Sequence, residues 1–156
     1  MNATVTGPDG KQRCRWCAAA PEFFDYHDKE WGFPVDDDHD LFEKLCLESF
    51  QSGLSWRTIL DKRENFRSAF NRFDFNIMAE YTHDDVERLV TDAGIIRHRG
   101  KIEAVINNAA RAKELVNEFG SLAAYIWSFE PPESEVPVPQ SMTTSPASLR
   151  ATTVHK

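Results

Sequence analysis

From Asp38 to Phe129 apolar side chains recur three or four positions apart, and this spacing predicts a succession of helices. The first long helix covers about residues 38–51 and ends near Gly53. Leu41, Leu45, Glu48 and Ser52 share one of its faces, so a single carboxylate interrupts an otherwise apolar stripe. A carboxylate in that position must find donors, shift its pKa, or sit at the stripe's edge and reach water. Asp38 or Asp40 can cap the helix start, and Asp40 with Glu43 fits a capping box. Ser55 can cap a second helix over about 56–70, with Ile59, Leu60, Arg63, Phe66 and Phe70 inward. Residues 74–78 read as a helical turn. Thr82 and Asp85 open a further helix through Val86, Leu89, Val90 and Ala93, and Gly94 stands where a left-handed C′ residue is wanted. A tight turn over 95–100 leads to a helix over about 101–118, and Ser121 caps a last one with Leu122, Tyr125, Ile126 and Phe129.

The flanks read differently. Residues 1–12 are polar, with Gly7, Pro8 and Gly10, and predict a flexible tail. Residues 13–31 hold Cys14, Trp16, Cys17, Tyr26, His27 and Trp31 in a loop with a short helix around 22–26, after Pro21. Residues 131–156 carry five of the eight prolines with many Ser and Thr, and predict a loosely attached tail. No strand is strongly indicated. The expectation is an all-α fold, a helical domain over 13–130 between two tails.

With 156 residues, 41% hydrophobic and 12% aromatic, the chain suits one globular domain. No apolar run approaches a membrane span, and no apolar leader is visible, which predicts the cytoplasm and no membrane partner. Three cysteines make no disulfide framework. A net charge of −7 argues against a general nucleic-acid coat, yet residues 92–113 hold Arg97, Arg99, Lys101, Arg111 and Lys113 against Asp92 and Glu103, a local surplus of +3. A helix ending at Gly94, a tight turn, and a helix opening near 99–101 would point backbone N–H groups and three cations at a phosphate. An ordinary αα-hairpin with a glycine cap has the same spacing. His98 reads as a helix-surface or phosphate-contact residue.

Four blocks carry a resemblance: Leu47-Glu48-x-x-Gln51-x-Gly53-Leu54-Ser55-Trp56; Arg13-Cys14-x-Trp16; Tyr26-His27-Asp28-x-Glu30-Trp31-Gly32-x-Pro34; and Asp92-Ala93-Gly94-Ile95-Ile96-Arg97-His98-Arg99-x-Lys101-Ile102. In this order and spacing they resemble the 3-methyladenine DNA glycosylase I family, from about Arg13 to about Phe129. The resemblance implies a helix–hairpin–helix glycosylase fold and removal of 3-methyladenine from alkylated double-stranded DNA by base flipping, the expected protein being a monomer. It implies that Glu48 recognises the base, that Trp16, Tyr26, Trp31 and Trp56 form an aromatic cage favouring a flat cation, and that Gly53 and Leu54 form the turn entering the gap in the DNA. Gly94, Arg97, Arg99 and Lys101 then match the hairpin that grips the backbone. Packing in a core is the alternative reading of the aromatics, and a helix cap with a core residue that of Gly53 and Leu54. The resemblance also implies a structural zinc on Cys14 and His27, with Cys17 a further local donor and a free thiol beside an exposed imidazole the alternative. Beyond Ser145-Pro146 the family's further helices and its remaining His and Cys ligands are not matched. The expectation is therefore a C-terminally shortened member with an incomplete zinc site. The other readings are a non-catalytic DNA-binding remnant and a small zinc-assisted interaction module.

Overall fold

The computed structural model describes residues 3–135. They fall into two compact units, one drawn from residues up to Pro34 and from Ile126 onward, the other Val35–Tyr125. Most of the chain predicted as a tail, residues 136–156, lies outside the described residues. Glu133–Glu135, at the start of that stretch, form one 3-10 turn.

In the first unit β1 (Thr4–Thr6) pairs antiparallel with β2 (Gln12–Cys14), Thr4 opposite Cys14 and Thr6 opposite Gln12. The segment expected to be a loose tail is thus a small hairpin. The cause is a tertiary ion cluster. The Arg13 side chain is buried, and its guanidinium donates to Asp9 in the hairpin loop (2.6 Å to each oxygen) and to Asp28 (2.9 and 2.7 Å). Gly10 makes the loop turn at φ +79°. A 3-10 turn, Arg15–Ala19, leads to α1 (Glu22–Lys29), placed and started as Pro21 predicts.

The second unit is helical: α2 (Asp38–Gln51), α3 (Trp56–Asp61), α4 (Arg63–Ala69), α5 (Phe75–Met78), α6 (His83–Thr91), α7 (Arg99–Phe119) and the start of α8 (Leu122–Trp127). α7 is its long central element, packed by α2, α5 and α6. The cap of α2 is Asp37, which accepts from the N–H groups of His39 (2.9 Å) and Asp40 (3.0 Å), in place of Asp38 or Asp40. Asp38 turns the other way and accepts from Leu122 N–H (3.0 Å) and Ala123 N–H (2.8 Å) at the start of α8, where Ser121 also caps Ala124 (2.9 Å).

The buried side of α2 is Phe42, Cys46, Leu47 and Phe50; Leu45, Glu48 and Ser52 are exposed. The predicted stripe is therefore the outer one. Aromatic volume decides the rotation: Phe42 and Phe50 are fully enclosed, with Phe50 4.7 Å from Phe66 and 5.8 Å from Phe70 between ring centroids. The acid buried on α2 is Glu43, held bidentately by Arg67 through Nε (2.9 Å) and Nη2 (2.8 Å).

The single helix expected over 56–70 is broken at Lys62, where ψ moves to 1°. The bend lets Ile59 before it and Phe66 after it both be fully buried. Asn71, Arg72 and Phe73 then run consecutively left-handed (φ 50°, 53° and 58°), each at a cost of roughly 1–2 kcal/mol. That turn reverses the chain and places Phe70 and Phe73 in the core as a stacked pair.

Candidate active site and nucleic-acid interface

α2 ends where its sequence says it should. Gly53 is left-handed (φ +79°), and no atom lies within 4 Å of where its Cβ would stand, so the conformation alone calls for glycine. Glu48 is exposed on the last turn of this helix. Leu54 follows Gly53 with 40% of its surface exposed, an apolar side chain standing on an open turn. Ser55 caps α3 through the Thr58 N–H (3.1 Å), and Trp56, half-buried, opens that helix. Glu48, Gly53, Leu54 and Trp56 are therefore grouped on one helix–turn–helix junction. Gln51 contributes its carbonyl to the turn, accepting from Leu54 N–H (2.6 Å).

The hairpin joins α6 to α7. Gly94 is not left-handed, contrary to the reading of it as a C′ residue. It is needed for size: an added Cβ would lie 3.1 Å from both Cβ and Cγ of Asn65 and 3.0 Å from Asp92 Oδ1. The turn is clamped at this point. Gly94 N–H donates to Asp92 Oδ1 (2.8 Å), Asn65 Nδ2 donates to Gly94 O (3.2 Å), and Lys62 Nζ donates to Ala93 O (3.4 Å). The bend at Lys62 thus has a second consequence, since it delivers a side chain to the hairpin. Neither Lys62 nor Asn65 carries a sequence motif that would have disclosed this role.

α7 opens at Arg99, with His98 as its cap: His98 Nδ1 accepts from Lys101 N–H (3.1 Å). The neutral ring consequently carries its proton on Nε2. One of the amides expected to face a phosphate is occupied in this way. Arg97 and Arg99 are exposed, and Arg99 also pairs with Glu87 (2.7 Å). Lys101 does not stand out from the hairpin. Its ammonium donates to Phe50 O (2.9 Å) and to Ser52 O, both at the end of α2.

In the first unit the structure brings Trp16, Tyr26 and Trp31 together, with Phe23 and His27 among them. Trp16 meets Tyr26 edge-on at 6.2 Å and Trp31 at 5.3 Å, while His27 stacks on Trp31 at 5.5 Å. Trp16, Tyr26 and Trp31 are each half-buried, so the cluster is neither a sealed core nor a set of loose surface rings. Their faces are of the kind that attract a cation.

Cys14 and His27 are brought together, but through the Cys14 backbone: its N–H donates to His27 Nε2 (3.4 Å), while Nδ1 lies 2.8 Å from Asp28 Oδ1. Asp28 therefore serves both Arg13 and His27, a link the motif alone does not disclose. Burial pushes the Cys14 and Cys17 thiols up, away from the thiolate that a metal takes. Among the described residues no three His, Cys, Asp or Glu side chains gather to hold a metal. The described donors alone do not fit a four-coordinate structural zinc, and no step below runs through one.

A helical unit presenting a glycine turn, an exposed acid beside it and a clamped hairpin with exposed arginines has the parts that the resemblance to a helix–hairpin–helix DNA glycosylase implies. The chain belongs to the methyladenine glycosylase family, whose model matches residues 16–154, and with it to base-excision DNA repair and to the hydrolases acting on N-glycosyl bonds. The match runs past Phe129, where the motif resemblance stops. The chain is 44% identical over 140 residues to DNA-3-methyladenine glycosylase 1 of Escherichia coli, covering 90% of this chain and 75% of that protein. It is 42% identical to DNA-3-methyladenine glycosylase of Haemophilus influenzae, over 85% and 73% of the two chains. A crystal structure of 3-methyladenine DNA glycosylase I matches with a TM-score of 0.71 at 45% identity, over 88% of this chain and 78% of that one. Another, in complex with 3-methyladenine, matches with a TM-score of 0.69 at 39% identity, and this chain spans 59% of it.

Proposed function

We propose that this chain hydrolyses the N-glycosidic bond of 3-methyladenine in alkylated double-stranded DNA, as a monomer and in the cytoplasm, where such DNA lies in bacteria. The observation that carries the reading is the junction of α2 and α3: Glu48 is exposed one turn before a left-handed Gly53 and an exposed Leu54. The hairpin that would seat on the DNA backbone is tied to that same turn.

The chemistry asks little of an acid. A base alkylated at N3 is already cationic, so the C1′–N9 bond breaks with its electron pair going to the base, which leaves neutral. Water then supplies hydroxide to C1′, and its second proton passes to solvent. What remains for the protein is to take the base out of the stack and hold it. Leu54 is placed to fill the gap left in the duplex. Glu48 accepts hydrogen bonds from the amino edge of the base, and its charge favours a cation over neutral adenine. Arg97 and Arg99 supply positive charge to the backbone, where contacts position without reading sequence.

The experiment is to incubate methylated duplex DNA with the chain and to separate the released bases by chromatography. Free 3-methyladenine with an equal yield of abasic sites is expected, while N7-methylguanine stays in the duplex. Binding of the duplex with every base retained would overturn the reading in favour of a non-catalytic DNA-binding protein.

A further inference from the structure

Lys101, in the first turn of α7, commits its ammonium to the end of α2. Lys101 lies 51 positions beyond Phe50 and 49 beyond Ser52, yet its ammonium donates to both carbonyls. The last four carbonyls of a helix have no donor within it, and Phe50 O is one of them in α2. A cation there also meets the negative end of the helix dipole. Two of the three ammonium hydrogens are used on this contact, and the side chain is half-buried. At the turn it reaches, the space where a Gly53 Cβ would stand is open, Leu54 is exposed, and Leu54 N–H donates to Gln51 O.

We infer that Lys101 is a positioning residue for base extrusion: it locks the Gly53–Leu54 turn to the DNA-gripping hairpin and does not neutralise a phosphate. This rests on the glycosylase reading above. The other face of the hairpin is anchored by Asn65 and Lys62 to Gly94 and Ala93. Seating the hairpin on a backbone therefore acts on the Leu54 turn through Lys101, beside the packing of α2 on α7. An ammonium suits the task because it can turn its donors toward two converging carbonyls, whereas a guanidinium fork is rigid and planar.

Lys101→Met keeps the apolar stem and removes the donor. Three quantities are read: the single-turnover rate of 3-methyladenine release at saturating protein, the salt dependence of duplex binding, and 2-aminopurine fluorescence beside an abasic analogue. The rate is expected to fall roughly ten- to hundredfold, as misplacement of a positioned group does. The fluorescence rise should be lost, and the slope of log affinity against log salt should be unchanged. A phosphate contact would instead lower that slope by about 0.9 and leave the saturated rate intact, which would overturn the inference. So would a variant matching the parent in all three readings. In a Leu54→Ala background the same substitution should cost much less, since its effect passes through that turn. If Lys101→Met does not fold, the ammonium resonance of Lys101 in the unmodified chain decides. A rigid ammonium with unchanged order on adding duplex supports the tie, and one that is mobile or moves onto the DNA refutes it. Absence of base release by the unmodified chain would fail the glycosylase reading, while the fluorescence and resonance readings would still judge Lys101.

Discussion

Adding one methyl group at position 94 should unseat the hairpin. Gly94→Ala places a Cβ 3.1 Å from Asn65 Cβ and Cγ and 3.0 Å from Asp92 Oδ1, inside the 3.4–4 Å of ordinary contact. The Asn65 Cβ is fixed to the backbone and cannot rotate away. Its Cγ can, but only by giving up the 3.2 Å bond to Gly94 O. Overpacking of this kind costs ~1–3 kcal/mol, and the lost hydrogen bond adds ~0.5–1.5. A total of about 1.5–4.5 kcal/mol lowers the melting temperature by roughly 3–18 °C for a chain of this length. Calorimetry reads the stability, and fluorescence anisotropy reads duplex affinity, which should fall with it. Gly53→Ala separates two kinds of glycine. That site is open, so its cost is only backbone strain, on the order of 1–2 kcal/mol. In an Asn65→Ala background the cost of Gly94→Ala should shrink and that of Gly53→Ala should not. A Gly94→Ala protein as stable and as tightly bound as the parent would refute the close-approach explanation.

Three further outcomes follow from the ion pairs and caps. Arg67→Met strips the bidentate partner from Glu43, whose side chain is 10% exposed, and should cost about 2–3 kcal/mol in urea denaturation; Arg67 itself is 23% exposed, which holds the figure below that of a fully buried pair. The Asp28 carboxyl is held down to about 2, from 3.8, first by the Arg13 guanidinium and then by His27. A depressed carboxylate stabilises the fold above its ordinary value, and that contribution is lost as pH falls from about 4 toward about 2. Asp28→Asn should therefore flatten the fall in melting temperature across that window, while Asp9 and Asp85, whose carboxyls are also held down, keep part of the slope. Asp38→Ala removes the acceptor for two N–H groups at the start of α8 and should cost about 1–2 kcal/mol, read by calorimetry and by faster proteolysis near Leu122.

Much of the helical unit was legible in its sequence because its signals are local. Asp38 to Gln51, the stop at Gly53, the Ser55 cap and the Thr82–Asp85 capping box all come from spacing and turn chemistry. What escaped was tertiary. On α2 periodicity gives a face but not which of two adjacent stripes is buried, and the larger rings of Phe42 and Phe50 decide it. The β1–β2 hairpin escaped because three-residue strands have no alternation to read and its anchor, Arg13, lies in a different element from Asp28. The position of Gly94 after a helix suggests a conformational glycine, whereas its neighbour Asn65 makes it a steric one. Among the candidate site residues, motif order picked out Glu48, Trp56, Gly53, Leu54 and the hairpin. The destination of Lys101 could not be read, since it depends on a helix end about fifty residues earlier.

The central claim is that Glu48 reads the damaged base, and it is tested most directly by the single-turnover release of 3-methyladenine from methylated duplex DNA by the chain and by Glu48→Gln. Glu48 is exposed, so the substitution should leave the melting temperature and duplex affinity unchanged. Base release by Glu48→Gln should fall by roughly a hundredfold or more, the scale of losing a charged contact at a reacting group. Release by Glu48→Gln at the parent's rate, from a protein equally folded and equally bound, would contradict it.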